Sequence, residues 1–414
     1  MPFQVRILSF SSVYPNPAEP GLGLFVRSRL QSLAKYAEVK VIAPIPVLDY
    51  SHPEQKVLLR CKFPSRRQDG PVEVFHPRWV FPPCGTPLNV LFEFSRLLPL
   101  LAQLRREFPF DLIDAHFCYP EGCAASLLAS TFGVPFTITL RGSETMFDRY
   151  RYRRAAMTAA MRRASGVITV SEELRQFAIS RGASAEGTRT NPNGIDTDVF
   201  HLREIQEMRR LLHLPSGRKL LLSAGELIEA KGHHLVIDGL QKLLARGEDA
   251  ELLIAGATAR GGPRFQEALS RKVCEMGLGD RVRFLGWVDR SRMAELLSAV
   301  DLFCLASYTE GWPNVVNEAL ASGTPVVVTE VGGVSAMVPS ADYGTIVPQK
   351  NPDAFNEAIF KALHRVWDRA AISQWGRCRC WDTVAREVME SFAHAMALYP
   401  NPQKTLSRKV TGNI

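Results

Sequence analysis

Residues 301–330 read DLFCLASYTEGWPNVVNEALASGTPVVVTE. The apolar run DLFCLAS predicts a strand, and YTEG predicts the turn after it. PNVVNEALAS predicts a helix with Gly323 just past its end, and PVVVTE predicts a second strand. Pro313 is well placed to start the helix, because proline loses no intrahelical hydrogen bond in the first turn. Strand, helix and strand in close succession make a βαβ unit.

The same alternation continues in both directions. VRILSF, VKVIAP, DLIDAH, PFTITLRG and GVITVS read as strands in the first half of the chain. KLLLSAG, ELLIAGA, VRFLGW and GTIVP read as strands in the second. Between them, stretches such as FVRSRLQSLAKYA and RFQEALSRKVCEMG carry apolar residues at three- and four-residue spacing. Strands that are apolar on both faces and separated by helices imply parallel sheets covered on both sides. With 414 residues the chain is too long for one core, so two domains are expected. The predicted fold is α/β: two doubly wound, Rossmann-like domains facing a central cleft, with a ligand at the carboxyl ends of the strands. NPNGID and the polar stretch after it mark the seam, which gives a first domain at 1–200 and a second at 201–382. The last stretch, 383–414, contains a helix expected to cross back to the first domain.

A hydrophobic content of 46% and a charged content of 22% exclude a disordered chain. The net charge of +8 is uneven: residues 1–200 hold 24 Lys+Arg against 18 Asp+Glu, and the remainder holds 26 against 24. Two basic clusters stand out: Arg60, Lys62, Arg66 and Arg67, then Arg149, Arg151, Arg153, Arg154, Arg162 and Arg163. Such a face attracts anionic lipid, phosphorylated substrates or nucleic acid, or is a solvated helix surface. No nucleic-acid-binding module accompanies it, so a nucleic-acid partner is not expected. None of the eight cysteines forms a C-x-x-C pair, and all are read as reduced, which fits the cytosol. MPFQVRILSFSS lacks the charge and apolar pattern of a signal peptide. VLFEFSRLLPLLAQL is interrupted by Glu93 and Arg96 and is too short to span a bilayer. A cytoplasmic protein is expected, peripheral at most to the inner face of the cytoplasmic membrane.

The chemistry is concentrated around the helix that opens at Pro313. Its first-turn amides, from Asn314 onward, together with the positive helix end form an anion site. Glu318 lies too deep in the helix to cap it, shares a face with Asn314, and can read a vicinal diol such as ribose. Glu310 stands ahead of the helix, near whatever is attached to the phosphate. Gly332 and Gly333 follow the next strand, where missing side chains would let a bulky ligand approach the backbone. A ribose, a phosphate and a second polyol together describe a nucleotide sugar. Glu267 and Glu275 have the same eight-residue spacing, but no turn or glycines flank them, and they read as helix surface.

The stretch with EGWPNVVNE, GTPVVV and the double glycine resembles the retaining glycosyltransferases of family 4, which have the GT-B fold. The likeness extends through SSVYPNPAEPGLGLFVRSRLQSL, DLIDAHFCYPEG, TLRGSE, GVITVSEEL, NPNGIDTDVF, AGELIEAKGHHLVIDGL and VRFLGWV. It implies a transferase that moves a sugar from a nucleotide-diphosphate sugar to a polysaccharide or lipid-linked glycolipid acceptor at the cell surface. It implies that Glu318 binds the donor ribose, that Glu310 lies beside the transferred sugar, and that Lys231 contacts the diphosphate. A fixed cation there stabilises the charge of the departing group. His116 would face the donor sugar and position it, although its ordinary pKa also suits proton exchange near neutrality. Arg141 would face the cleft, and Gly21 and Gly23 would form a mobile loop near the donor. Gly311, Val315 and Trp287 complete the implied donor contacts, the last within the Phe284–Val288 segment beside the base.

Two positions depart from the pattern: Glu226, where many relatives have an arginine, and Ala336, where relatives often have a glutamate. The resemblance implies a front-face route in which the leaving diphosphate helps to accept the acceptor's proton, with no metal and no further cofactor. Asp196, Thr197 and Asp198 read as a turn rather than a metal triplet. Two other functions compete: a nucleotide-sugar epimerase of the same fold, and a non-enzymatic two-domain sugar-binding protein.

Overall fold

A computed structural model describes residues 5–17, 19–46, 64–80, 88–258 and 263–399. The described residues form two compact units. One runs to Asn191 and resumes at Val384; the other is Pro192–Thr383. The division thus falls at the start of the NPNGID seam, ahead of the expected 200/201. Packing explains the position: Ile195 bridges to Cys380, its amide bonding the Arg379 carbonyl at 2.9 Å, and Ile195 and Phe200 are buried in the second unit's core.

The first unit contains β1 (Arg6–Phe10), β2 (Glu38–Ile42), β3 (Ile45–Pro46), β4 (Arg66–Asp69) and β5 (Val72–Phe75). It continues with β6 (Arg78–Trp79), β7 (Leu112–His116), β8 (Phe136–Leu140), β9 (Gly166–Thr169) and β10 (Thr188–Thr190). Its main sheet has the order β10-β9-β8-β7-β1-β2-β5-β4, and β3 pairs with β6 separately. Pairing is parallel except between β4 and β5, a hairpin turned at Asp69–Val72 that the sequence reading did not anticipate. That hairpin accounts for part of the first basic cluster: Arg66 pairs with Glu73, and Arg67 bonds His76 and the Pro15 carbonyl. Arg60 and Lys62 lie outside the described residues. The helix Leu88–Glu107 carries the interrupted apolar stretch, and among the described residues no helix is long and apolar enough to cross a membrane.

The second unit is a six-stranded parallel sheet of β11 (Lys219–Ala224), β12 (Ala250–Ala255), β13 (Val282–Gly286), β14 (Leu302–Leu305), β15 (Val326–Thr329) and β16 (Gly344–Val347), in the order β13-β12-β11-β14-β15-β16. Strand alternation divides its apolar residues between two cores. Leu220, Leu222, Phe303, Leu305, Val326 and Val328 face one. Leu221, Leu302, Cys304 and Val327 face the other. A strand with helices on both sides needs apolar residues at every position, which is why these runs are legible.

In the βαβ unit quoted above, Pro313 is the residue before the helix rather than its first member, and the helix is Asn314–Ala321. It closes with a Schellman motif: the Gly323 amide bonds Leu320 at 2.9 Å and the Thr324 amide bonds Ala319 at 2.9 Å. Gly323 takes the left-handed φ of 79° that this motif needs.

Candidate functional site

Each main sheet has a point where neighbouring strands leave in opposite directions, the usual place for a ligand in a doubly wound sheet. In the second unit it lies between β11 and β14. The segments leaving those two strands carry the sequence-predicted residues. After β11 the chain makes a short turn, Glu229–Lys231, and then enters the helix His233–Ala245 through Gly232. Gly232 has φ 68°, and a Cβ there would sit 2.1 Å from the Ala306 carbonyl oxygen, so only glycine lets this loop press on the end of β14. The Tyr308 amide bonds the Ala230 carbonyl at 2.9 Å and ties the two loops together.

This arrangement brings Lys231 and Glu310 into contact. Lys231 Nζ donates to Glu310 Oε1 at 2.6 Å, and Ser307 Oγ donates to the same oxygen at 2.9 Å. Asn314 opens the helix that follows, and its Oδ1 accepts from Asn193 Nδ2 at 2.9 Å. Val315 packs at the rim of the core. Glu318, one turn beyond Asn314, is partly buried; burial pushes its carboxyl up to about 7, with Arg290 opposing and Asp196 adding to the shift. Arg290 pairs with Asp196 at 3.2 Å, and the Asp196 carboxylate also accepts the Asp198 amide at 3.3 Å, so the DTD triplet is a turn with an ion-pair partner.

The double glycine has a different cause from the one expected. A Cβ on Gly332 would meet the Glu310 and Gly311 carbonyl oxygens at 2.4 and 2.7 Å, and one on Gly333 would meet the Trp312 ring at 2.1 Å. The Gly333 amide bonds Gly311 at 3.0 Å. These glycines let the loop after β15 clasp the Glu310–Trp312 turn; the room they leave is taken by the protein itself. Trp287, just past β13, is 58% exposed at the far end of the sheet from β14 and lies away from the Lys231–Glu310 contact in strand order.

In the first unit the corresponding point lies between β1 and β7. His116 ends β7 and is closed to solvent. Arg141 Nη2 is 2.9 Å from His116 Nδ1, and His116 Nε2 is 3.1 Å from Asp114 Oδ2. A guanidinium only donates, so Nδ1 is bare and the ring proton sits on Nε2, facing Asp114. Asp114 also accepts from Thr137 Oγ1 at 3.0 Å and faces Arg29 Nη2 at 3.7 Å. Burial lowers the imidazole to about 4, with Arg141 and Arg29 adding to the effect and Asp114 opposing it. The ring is therefore neutral near pH 7, with Arg141 on Nδ1 and the Asp114 carboxylate 3.1 Å from Nε2. Proton exchange near neutrality does not match a ring held neutral in this way. Arg141, 8% exposed and stacked over Phe25 at 4.9 Å, is the outermost member of the Arg29–Asp114–His116–Arg141 chain.

Gly23 has φ 65°, and a Cβ on it would meet the Val13 carbonyl oxygen at 2.2 Å, so it is pinned by packing as the helix Leu24–Leu33 begins. Asp114 was missed although a signal existed: in DLIDAH it lies two residues before His116, on the same face of the strand. Arg29 and Arg290 had no comparable signal, because their partners are distant in sequence; Ser307 stands only three residues before Glu310 and was overlooked.

Comparisons with known proteins match both units. The family model described as "Glycosyltransferase Family 4" matches residues 21–199, and "Glycosyl transferases group 1" matches residues 204–378. The chain is 30% identical over 375 residues to TuaC of Bacillus subtilis, named as a teichuronic acid biosynthesis glycosyltransferase, covering 88% of this chain and 90% of the relative. It is 25% identical over 308 residues to the D-inositol 3-phosphate glycosyltransferase of Mycobacteroides abscessus, covering 71% and 68%. Among solved structures, sucrose-phosphate synthase from Thermosynechococcus elongatus shares the fold with a TM-score of 0.76 at 19% identity, over 95% of this chain and all of that one. Anabaena HepE in complex with UDP and glucose follows at 0.72 and 21% identity, over 94% and 99%. With two parallel-sheet units, family models on both and a full-length relative of this identity, the chain belongs to the group 1, family 4 glycosyltransferases of the GT-B fold.

Proposed function

We propose that this glycosyltransferase is a retaining enzyme that takes a nucleoside-diphosphate sugar as donor and extends a cell-surface polysaccharide or glycolipid. The observation that carries the reading is the 2.6 Å contact between Lys231 and Glu310 at the second unit's switch point, beside the opening turn of the helix that holds Glu318. In the proposed complex Lys231 turns from Glu310 to the donor diphosphate. Glu310, still fixed by Ser307, then accepts hydroxyls of the sugar. The Asn314 and Val315 amides add positive charge at the phosphates. Glu318 in its ionised form accepts both hydroxyls of the ribose.

Charge grows on the diphosphate as the glycosidic bond breaks, and a cation already in place lowers that barrier. The departing phosphate oxygen takes the proton of the attacking acceptor hydroxyl on the same face of the sugar, which preserves the anomeric configuration. Arg141, oriented by His116 and Asp114, is assigned to the first unit's contact with substrate. The scheme calls on no metal ion and no cofactor besides the donor. HepE, whose solved complexes hold UDP and UDP-glucose, and TuaC, named for teichuronic acid biosynthesis, support the donor and acceptor classes. The exposed Met146, Tyr150 and Tyr152, set among Arg149, Arg151, Arg153 and Arg154, suit a peripheral contact with anionic lipid that would carry a lipid-linked acceptor.

The test is to screen nucleotide sugars for stabilisation against thermal unfolding, then to assay nucleoside diphosphate release with acceptor extracts. Acceptor-dependent release that is lost in Glu310→Ala and Glu318→Ala supports the reading; unchanged activity in both variants refutes it. Turnover of the donor without any acceptor would favour the epimerase.

A further inference from the structure

The first unit holds a polar arrangement that the donor chemistry does not use. Asn89 and Glu93 stand four residues apart in the first turns of the helix Leu88–Glu107 and so share a face. Both are closed to solvent, and among the described residues neither polar atom of the Asn89 amide and neither Glu93 carboxylate oxygen has a hydrogen-bond partner. Buried polar atoms are nearly always paired, and leaving several unpaired on one face is costly.

The location is informative. This helix leads into β7, so its opening turns lie at the carboxyl edge of the sheet. It packs against the turn Cys118–Gly122, and Glu93 faces Glu121 and Cys123 there. The Glu121 carboxylate in turn accepts the Ser12 amide at 3.1 Å, which places the group at the ends of β1 and β7, the first unit's switch point. Burial, with Glu121 and Cys123 alongside, pushes the Glu93 carboxyl well above the usual carboxylate range and favours its protonated form. A neutral carboxyl and a carboxamide each donate and each accept, which matches a pair of hydroxyls. Two carboxyl groups side by side, Glu93 and Glu121, disfavour a phosphate there.

We propose that Asn89 and Glu93 form a subsite in the first unit for a neutral, hydroxyl-bearing part of the acceptor, a sugar or other polyol rather than a phosphate. This rests on the transferase reading above and adds the acceptor's chemistry to it.

The experiment follows thermal unfolding of the full chain with a panel of methyl glycosides of common hexoses and, separately, with nucleotide sugars. Native protein is compared with Glu93→Leu, Glu93→Gln and Asn89→Ala. At least one methyl glycoside is expected to stabilise the native protein, with apparent affinity falling about tenfold or more in Glu93→Leu and Asn89→Ala. Glu93→Gln, which imitates the neutral carboxyl, is expected to retain the affinity. Stabilisation by nucleotide sugar is expected to survive in all three variants. The inference is overturned if no glycoside stabilises the native protein, if Glu93→Leu responds as the native protein does, or if Glu93→Gln loses as much as Glu93→Leu. Should Glu93→Leu fail to fold, Asn89→Ala carries the same comparison. Absence of any nucleotide-sugar effect on the native protein would instead count against the transferase reading.

Discussion

Glu318 holds its proton to about 7, well above an unfolded glutamate, because of burial. The folded state therefore binds more protons than the unfolded chain between those two values. The stabilisation from this group is complete below the unfolded pKa and is lost as pH rises through about 7. Glu318→Gln is expected to flatten that part of a melting-temperature profile. Donor affinity should run the other way, rising through the same interval as the diol-binding carboxylate ionises, and should become level in the variant; calorimetry at several pH values checks it. His116, lowered to about 4, predicts an activity profile with no histidine ionisation near neutrality. His116→Gln should lower the rate by loosening Arg141 while leaving the shape of that profile unchanged. Lys231→Ala removes the proposed counter-charge to the leaving group, and about 10²–10³-fold should be lost from kcat, the scale found for a single stabilising donor. Glu310 and Glu318 stood out in the sequence because turn, helix and strand frame them in one continuous stretch, whereas Lys231 was indicated by the family resemblance alone and its contact with Glu310 only by folding. The Asp196–Arg290 pair was not, because only folding brings the two together.

At the level of elements, the eleven apolar runs read from the sequence are all strands; nine lie inside their sheets, where a parallel strand is apolar on both faces, and VRFLGW and GTIVP form the edges β13 and β16. The ones overlooked are short or polar: RRQD, VEVF and TRT, with the two-residue pairs of β3 and β6. β4 and β10 are edges of their sheet, where one side needs no partner and sequence constraint is weakest. The double glycine shows the opposite failure. Its position was legible, yet its purpose depends on which side chain lies against it, and that is Trp312. Gly333→Ala must push that ring aside and should cost about 1–3 kcal/mol, as overpacking does. A lower urea midpoint at constant slope is the expected result, accompanied by weaker donor binding because the displaced turn carries Glu310 and Gly311.

Across the molecule, each unit owns a core, so urea unfolding need not be two-state. Donor binding should slow amide exchange in 225–232 and 307–315, the loops that Lys231 and Glu310 join. The helix Trp381–Leu398 begins in one unit and ends in the other. Val384, Ala385, Val388, Phe392 and Ala395 are buried along it, and a Cβ on Gly166 at the start of β9 would sit 3.1 Å from the Ala395 methyl. A chain that stops at Thr383 keeps the second sheet intact but exposes this apolar seam on the first. Its first unit should unfold at lower urea, while donor still protects the second.

This last helix also sets an order of events at the ribosome. The unit begun first waits for a segment that follows the other unit in the chain, and that other unit is finished before it. During synthesis, then, the second sheet can close while the unit translated earlier still lacks the cover that Val384, Val388, Phe392 and Ala395 give it.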